Sequence, residues 1–351
     1  MRWLIGHPGP QFSVSDVYDG WVEALGALGQ DVATFNLDDR LQFYDASLLE
    51  TGDWSDGHPE VRKAMTHEQA VTAACAGLGK ALYDWWPDVV LLISGFFVPE
   101  SYLDLMRARG HKVVLLHTEE PYEHDLQLGR AAHADINLLN DPCNIGAYRD
   151  LGMPAEYMPH VYRPALHSPG PSVPSVECDL GFVGTGFQSR IDFFTGMDLT
   201  GLDVLLAGHW KFLPDDSPLR RYVGHDIGEC LPNDQAIHIY RSARAGINFY
   251  RREAEDDHAG EGWACGPREI EQAACGLFFL RDPRGEGDEL FRMLPTFDSP
   301  GDASEKLRWW LAHDGFRGEA ARQARAAIED RTFENNAKSL LRLLDRQPIR
   351  M

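Results

Sequence analysis

Short apolar runs alternate with amphipathic stretches of helical period along this chain, and the alternation occurs twice, on either side of a proline-rich break. In the first pass, Trp3-Leu-Ile-Gly6 reads as a strand. Val17, Trp21, Leu25 and Leu28 then recur at three- and four-residue spacing, which predicts a helix within Ser13 to Gln30, ended by Gly29. Asp31 to Phe35 reads as a second strand, and a polar, aromatic insertion follows from Asn36 to Met65. Thr66 and Gln69 form a capping-box pair for a helix reaching Trp85. Asp88 to Ser94, Lys112 to Leu116 and Asp135 to Leu139 are further strands, with a helix opened by Pro99 and reaching about Arg109. Strand, helix, strand in repeated order indicates a parallel sheet covered on both faces.

Arg163 to Glu177 carries Pro164, Pro169, Pro171 and Pro174 with Gly170 and several serines, the chemistry of a linker. Beyond it the pattern resumes, with strands at Leu180 to Val183, Val204 to Ala207, Gly246 to Phe249 and Leu277 to Leu280. Helices are expected between them, from Asp234 to Arg244 and from Pro267 to Cys275. Ala303 to Leu344 is helical by pattern. A length of 351 residues suits two domains. The reading is therefore a first domain over 1–162, a linker over 163–177, a second domain over 178–330 and a returning C-terminal segment over 331–351. Two open α/β domains imply a cleft where ligands meet the carboxyl ends of the strands.

The formal net charge of -21 disfavours broad contact with phosphate backbones, so nucleic acid is not an expected partner, although a local basic pocket for a small phosphorylated ligand stays open. Six cysteines at 75, 143, 178, 230, 265 and 275 show no C-x-x-C spacing and complete no zinc site with histidine. They read as buried thiols of a reducing cytoplasm. The N-terminus runs straight into a strand without the apolar core of a signal peptide, and Val89 to Val98, the longest apolar stretch, is too short to span a bilayer.

Gly266-Pro-Arg-Glu-Ile-Glu-Gln-Ala-Ala-Cys-Gly276 is the most informative segment. Pro267 suits the first helical position and Gly276 the C-terminal cap. Arg268, Glu271 and Cys275 share one face, at the end of a buried strand and a polar loop where a helix N-terminus attracts phosphate. An exposed Arg-Glu pair on a surface helix fits the spacing equally well. Gly184-Thr185-Gly186 lacks the third glycine of a dinucleotide fingerprint, and the next strand does not end in an acidic residue, so an NAD site is disfavoured. It reads as a tight strand-to-helix turn, bland or approaching a diphosphate. Asn248 closes a strand as a polar contact or a ligand contact.

Arg-x-x-Glu-x-x-Ala-Cys-Gly followed by an apolar strand and Asp282 resembles the C-terminal domain of the CgeB-like, spore-maturation-type glycosyltransferases of the GT-B group. Cys178 to Arg190 looks like that family's strand, glycine turn and arginine, and Ile237 to Tyr250 like its helix and Asn-bearing strand. The likeness covers roughly 135–345; Gln272 stands where the family often has a small residue, and the N-terminal domain resembles it in layout only. The resemblance implies two Rossmann-like domains facing a central cleft, a C-terminal helix crossing back to the first domain, and sugar transfer from a nucleotide-diphosphate donor, of UDP or GDP type, to an acceptor hydroxyl. It places Glu271 on the donor ribose and Arg190 or Arg268 on the diphosphate, with Gly184, Thr185, Gly186 and Asn248 beside them. Trp309, Trp310 and Leu311 are expected to pack where the last helical stretch meets the first domain.

On the N-terminal side, His7 lies in a loop after the first strand, and Glu119 and Glu120 follow a buried strand. These three are the candidates for acceptor contact or general base, with a structural histidine and a solvated acidic loop as the alternatives. His160 and Arg163 are further candidates for a ligand contact. No Asp-x-Asp triplet occurs, and Asp256-Asp257-His258 reads as a solvated loop, so no metal is expected. A nucleotide-sugar epimerase or a non-catalytic carbohydrate-binding protein on the same scaffold remain alternatives, as does a DNA-modifying transferase, which the acidic charge makes less attractive.

Overall fold

The structure, a computed structural model, describes residues 1–7, 9, 12–45, 48–55, 58–254 and 262–346. The Asp256-Asp257-His258 loop lies outside the described residues, as do Pro8, Pro10 and Gln11 of the loop that carries His7.

The first sheet has six strands in the order β2-β1-β5-β6-β7-β8, all parallel. They are β1 (Arg2–Gly6), β2 (Asp31–Phe35), β5 (Val89–Ile93), β6 (Lys112–His117), β7 (Ile136–Leu139) and β8 (Ala155–Tyr157). β5 is apolar along its whole length, and the polar His117 of β6 and Asn137 of β7 are buried bonded to each other at 2.8 Å, as a sheet covered on both faces requires. Side chains pointing one way pack with α1 (Phe12–Ala27), and those pointing the other way pack with α2 (Leu37–Asp45), α3 (His67–Trp85) and α4 (Glu100–Ala108). Thr66 and Gln69 cap α3 reciprocally: the Gln69 N–H donates to Thr66 Oγ1 at 3.2 Å, and the Thr66 N–H to Gln69 Oε1 at 2.9 Å. The insertion forms α2 and an antiparallel pair, β3 (Leu48–Ser55) with β4 (His58–Lys63). Two short helices, α5 (His124–Ala131) and α6 (Ile145–Asp150), follow β6 and β7.

The second sheet has four parallel strands in the order β10-β9-β11-β12. They are β9 (Cys178–Val183), β10 (Val204–Ala207), β11 (Ala243–Asn248) and β12 (Phe279–Arg281). Its helices are α7 (Gln188–Gly196), α8 (Asn233–Ser242), α9 (Pro267–Cys275), α10 (Gly285–Leu290), α11 (Pro300–Ala312) and α12 (Asp314–Ala327). A core rich in phenylalanine, with Phe182, Phe194, Phe278 and Phe279 fully buried, fills one face.

The last helix, α13 (Phe333–Arg346), leaves this domain and packs on α1 through Phe333, Ala337, Leu340 and Leu344. Its apolar positions recur at three- and four-residue spacing, which makes the stripe that docks. The expectation for Trp309, Trp310 and Leu311 is corrected here. They belong to α11, where Trp310 packs at a tilt against Phe278 with ring centroids 4.6 Å apart and Leu311 joins the second domain's core. Trp309 is half exposed. An apolar cluster near the chain's end has the composition of a crossing, but its partners are Phe278 before β12 and Phe316 of α12 in its own domain. The two chain crossings lie side by side: the Tyr162 N–H donates to the Arg331 carbonyl at 2.9 Å, and Tyr162 bridges Thr332.

Among the described residues no helix is long and apolar enough to cross a membrane. All six cysteines are free.

Candidate active site

Residues just past the carboxyl ends of β6, β7, β9, β10 and β11 line one cavity of about 480 Å³ between the two sheets. Strand ends converge there because each parallel strand hands over to a helix on the same edge, which leaves the turns facing the gap.

On the second domain's side the wall is α9 and its approach. Pro267 opens the helix, the Glu269 carboxylate accepts the Gly266 N–H at 2.9 Å, and Gly276 closes it with φ +80°. Ile270, Ala273 and Ala274 go to the sheet core, which turns Arg268 and Glu271 towards the cavity. Arg268 lies 5.6 Å from the Phe182 ring and reaches Asn248 Oδ1 at 3.5 Å. Glu271 is buried, and Tyr240 Oη donates to it at 3.4 Å. Burial first, then the Asp16 charge, pushes its carboxyl up to about 8. Cys275 shares that face one turn along, buried in an apolar cluster with Tyr240 and Leu277 rather than lining the cavity.

Arg190 sits in the first turn of α7, 4% exposed. Its Nε donates to the Phe249 carbonyl at 3.0 Å and its Nη1 to the Thr185 carbonyl at 2.9 Å. Burial and then the neighbouring Arg268 charge hold its proton affinity well below the ordinary guanidinium value. Two like charges, each with one flank on Phe182, therefore stand at one end of the cavity.

The Gly184-Thr185-Gly186 turn is shaped by close approach. A Cβ on Gly186 would lie 2.3 Å from the Trp210 ring, and one on Gly184 would lie 3.0 Å from the Arg268 guanidinium. The Gly184 and Gly186 N–H groups donate to the Ala207 and His209 carbonyls, each at 2.8 Å. They stitch the turn to the loop after β10, so Gly184 and Thr185 line the cavity without offering those two donors to a ligand, while Gly186 packs on Trp210 away from it.

The first domain's candidates separate. Glu119 lines the cavity, and Arg251 of the second domain donates to its Oε2 at 2.8 Å. Burial outweighs that pairing and pushes its carboxyl up to about 7. Glu120 is 2% exposed, and its carboxylate is taken up by His124 at 3.0 Å, Asn144 at 2.8 Å and the Tyr148 hydroxyl at 2.6 Å. That is the setting of an anchor rather than of a base. His7 is not among the residues that line the cavity. Its Nδ1 accepts the Gly9 N–H at 3.2 Å, which leaves the proton on Nε2 to reach Ser15 Oγ at 3.0 Å. It stacks edgewise on Tyr18, and burial lowers its proton affinity. His160 does line the cavity, bonded to Asn140 at 3.0 Å and pushed down to about 4 by burial. Arg163 instead clamps the linker to α1, donating to Asp16 at 2.6 Å and to Glu23.

Four site residues were missed from sequence. Arg284 is buried against the Tyr250 ring at 4.1 Å and donates to the Tyr122 hydroxyl at 2.7 Å. Asp141 accepts the Trp263 and Ala264 N–H groups at 2.8 and 2.9 Å across the domain gap. Arg251 and Tyr122 stack at 4.2 Å. Arg251, Arg284 and Asp141 each stand within three residues of a strand's carboxyl end, which is the one signal that would have found them. With Arg190 and Arg268 they make a cavity lined by four arginines in a chain of net charge -21. Asp16, His167 and Glu271 also bring ligand atoms within 4.8 Å of one another, the spacing of a metal site.

A family model described as glycosyl transferase-like matches residues 190–342. The spore protein CgeB of Bacillus subtilis (strain 168) is 23% identical over 242 residues, covering 67% of this chain and 75% of that protein. The fold is similar to that of a sucrose-phosphate synthase from Thermosynechococcus elongatus, with a TM-score of 0.66 at 12% identity over 98% of each chain. A trehalose-6-phosphate protein from E. coli bound with UDP-2-fluoro glucose scores 0.63 at 11% identity over 100% of each chain. An α-glucosyltransferase solved with UDP and a 13-mer DNA scores 0.63 at 10% identity, over 97% of this chain and 98% of that one.

Proposed function

We propose that this protein, a CgeB-like glycosyltransferase of the GT-B fold, takes a nucleoside-diphosphate sugar as donor and passes the sugar to an acceptor hydroxyl in the cleft. The observation that carries the reading is the pairing of Arg190 and Arg268 with Glu271 at one end of the cavity. Guanidinium groups match the oxygens of a diphosphate, and a carboxylate accepts both hydroxyls of a ribose. Negative charge gathers on the diphosphate as the glycosidic bond breaks, and buried cations already in place stabilise it without reorganisation. In this reading the arginines, rather than a bound metal, meet that charge. Neighbours of the same fold solved with UDP and with a UDP-sugar analogue support a nucleotide donor. The second domain, 178–330, is the donor side and the first, 1–162, the acceptor side, where Glu119 receives the acceptor's proton. Free thiols at all six cysteines support work in a reducing compartment such as the cytoplasm.

A thermal-shift screen against UDP, GDP, CDP and dTDP identifies the nucleotide by selective stabilisation. Calorimetry with that nucleotide is then expected to show binding abolished in Glu271→Ala and weakened about tenfold to a hundredfold in Arg190→Ala. Unchanged affinity in both variants would overturn the site.

A further inference from the structure

Beside the main cleft lies a second cavity of about 20 Å³, room for about one water molecule. Its polar walls are Asp16, Thr118, Asn140 and His160 of the first domain, Glu271 of the second and Asn336 of the crossing helix. Asp16, Glu271 and His167 are 6%, 7% and 1% exposed, and one oxygen of each carboxyl and one ring nitrogen of His167 lie within 4.8 Å of one another. The spacing would suit a metal ion, but the ring's hydrogen bonding points elsewhere. His167 Nδ1 accepts the Arg163 N–H at 3.2 Å, so the neutral ring carries its proton on Nε2 and presents no lone pair there. Among the described residues that Nε2 has no partner, which leaves a buried donor beside two carboxyls.

Two carboxyls buried this close do not both ionise without cost. Arg163 donates to Asp16 at 2.6 Å, whereas the donor to Glu271 is Tyr240 at 3.4 Å, so the charge settles on Asp16 and the proton on Glu271. The groups facing Glu271 are Asp16 from α1, His167 from the linker, Tyr240 from α8, and Arg268 and Cys275 from its own helix. Arg163, Asp19 and Glu23 surround Asp16.

We propose that Asp16 is a positioning residue for Glu271, such that the two carboxyls hold one proton across the domain junction while the cleft is empty and a nucleoside diphosphate binds with release of that proton. The proposal rests on the donor site described above. The proton passes from the Glu271 carboxyl to solvent, and the ribose hydroxyls then donate to both freed oxygens. With the Glu271 carboxyl at about 8, about one molecule in ten has it ionised at pH 7.

The test is calorimetry of UDP and GDP binding from about pH 6 to pH 9, in buffers of differing ionisation enthalpy. For the wild type, affinity is expected to rise about tenfold per pH unit below about 8 and then level, with about one proton released below that point. Asp16→Asn removes the facing charge, so it should bind up to about tenfold tighter at pH 7 with a flattened profile. Glu271→Gln should be flat. A flat wild-type profile with no proton release overturns the proposal. If neither nucleotide binds at any pH, the donor reading fails, and infrared titration of the unliganded protein decides this proposal separately. A buried protonated carboxyl at pH 7, lost in Glu271→Gln and titrating lower in Asp16→Asn, sustains it; absence of that signal overturns it.

Discussion

The two walls of the cleft are built from the same strand–turn–helix unit, yet they use their charges differently. On the second domain's wall, Arg190 donates to backbone carbonyls and Arg268 reaches a neutral amide at 3.5 Å, so among the described residues neither guanidinium is spent on a carboxylate within bonding distance. On the first domain's wall, the carboxylates are engaged by the opposite domain: Glu119 with Arg251, and Asp141 with Arg284 and two backbone N–H groups. One wall holds cations ready for an anionic ligand, while the other holds acids that double as closing contacts. A side chain that closes the cleft is also released when the cleft opens, so Glu119, which meets Arg251, is coupled to domain motion in a way that Arg190 and Arg268 are not.

The largest effect that sharpens this contrast is expected at Glu119. Glu119→Gln should lower kcat by about 10² to 10⁴ with donor affinity nearly intact, read by single-turnover transfer beside nucleotide calorimetry. With its carboxyl near 7, the base is lost by protonation as pH falls, so the wild-type kcat should fall about tenfold per unit below about pH 7. An equal loss of donor affinity would break the division between the walls. Next comes Asp141→Ala, which orphans the Trp263 and Ala264 N–H groups and the Arg284 charge. A loss of about 2–4 kcal/mol from the closed form is expected, visible as a larger radius in solution scattering. An unchanged radius would show that closure does not depend on this contact. The smallest effect belongs to His7→Gln, expected to change kcat by less than about threefold. A larger fall would bring His7 back into the chemistry.

What could be read from sequence follows the range of the forces involved. The bounds of α9 were legible because Pro267 and Gly276 act locally, and the α3 cap because Thr66 and Gln69 meet within one turn. The two parallel sheets followed from the order of apolar runs, with β10 found at the expected residues. Glu119 and Glu120 show the limit. They are adjacent and chemically identical and both border the cavity, but Glu119 meets Arg251 across the gap, while the Glu120 carboxylate is held by His124, Asn144 and Tyr148 once α5 and α6 are in place. Arg251 and Arg284 were missed for the same reason, since their role exists only once two sheets face each other. Trp309 and Trp310 had the right character for an interface, but character does not name the partner.

The side-by-side crossings at Tyr162 and Thr332 carry a mechanical consequence. A domain tied by one strand of chain can swivel in any direction, whereas one tied by two adjacent strands turns mainly about the line through both. Opening then resembles a book moving on its spine, and the edge farthest from that line travels most for the smallest change in backbone angle. The Asp16–Arg163 clamp ties the chain to α1 within a residue of that line. The Glu119–Arg251 contact, which closes the gap between the two sheets, is the kind of contact that such a turn parts. Entry of an acceptor and assembly of its base would then be one rotation, set by the chain's own stitching.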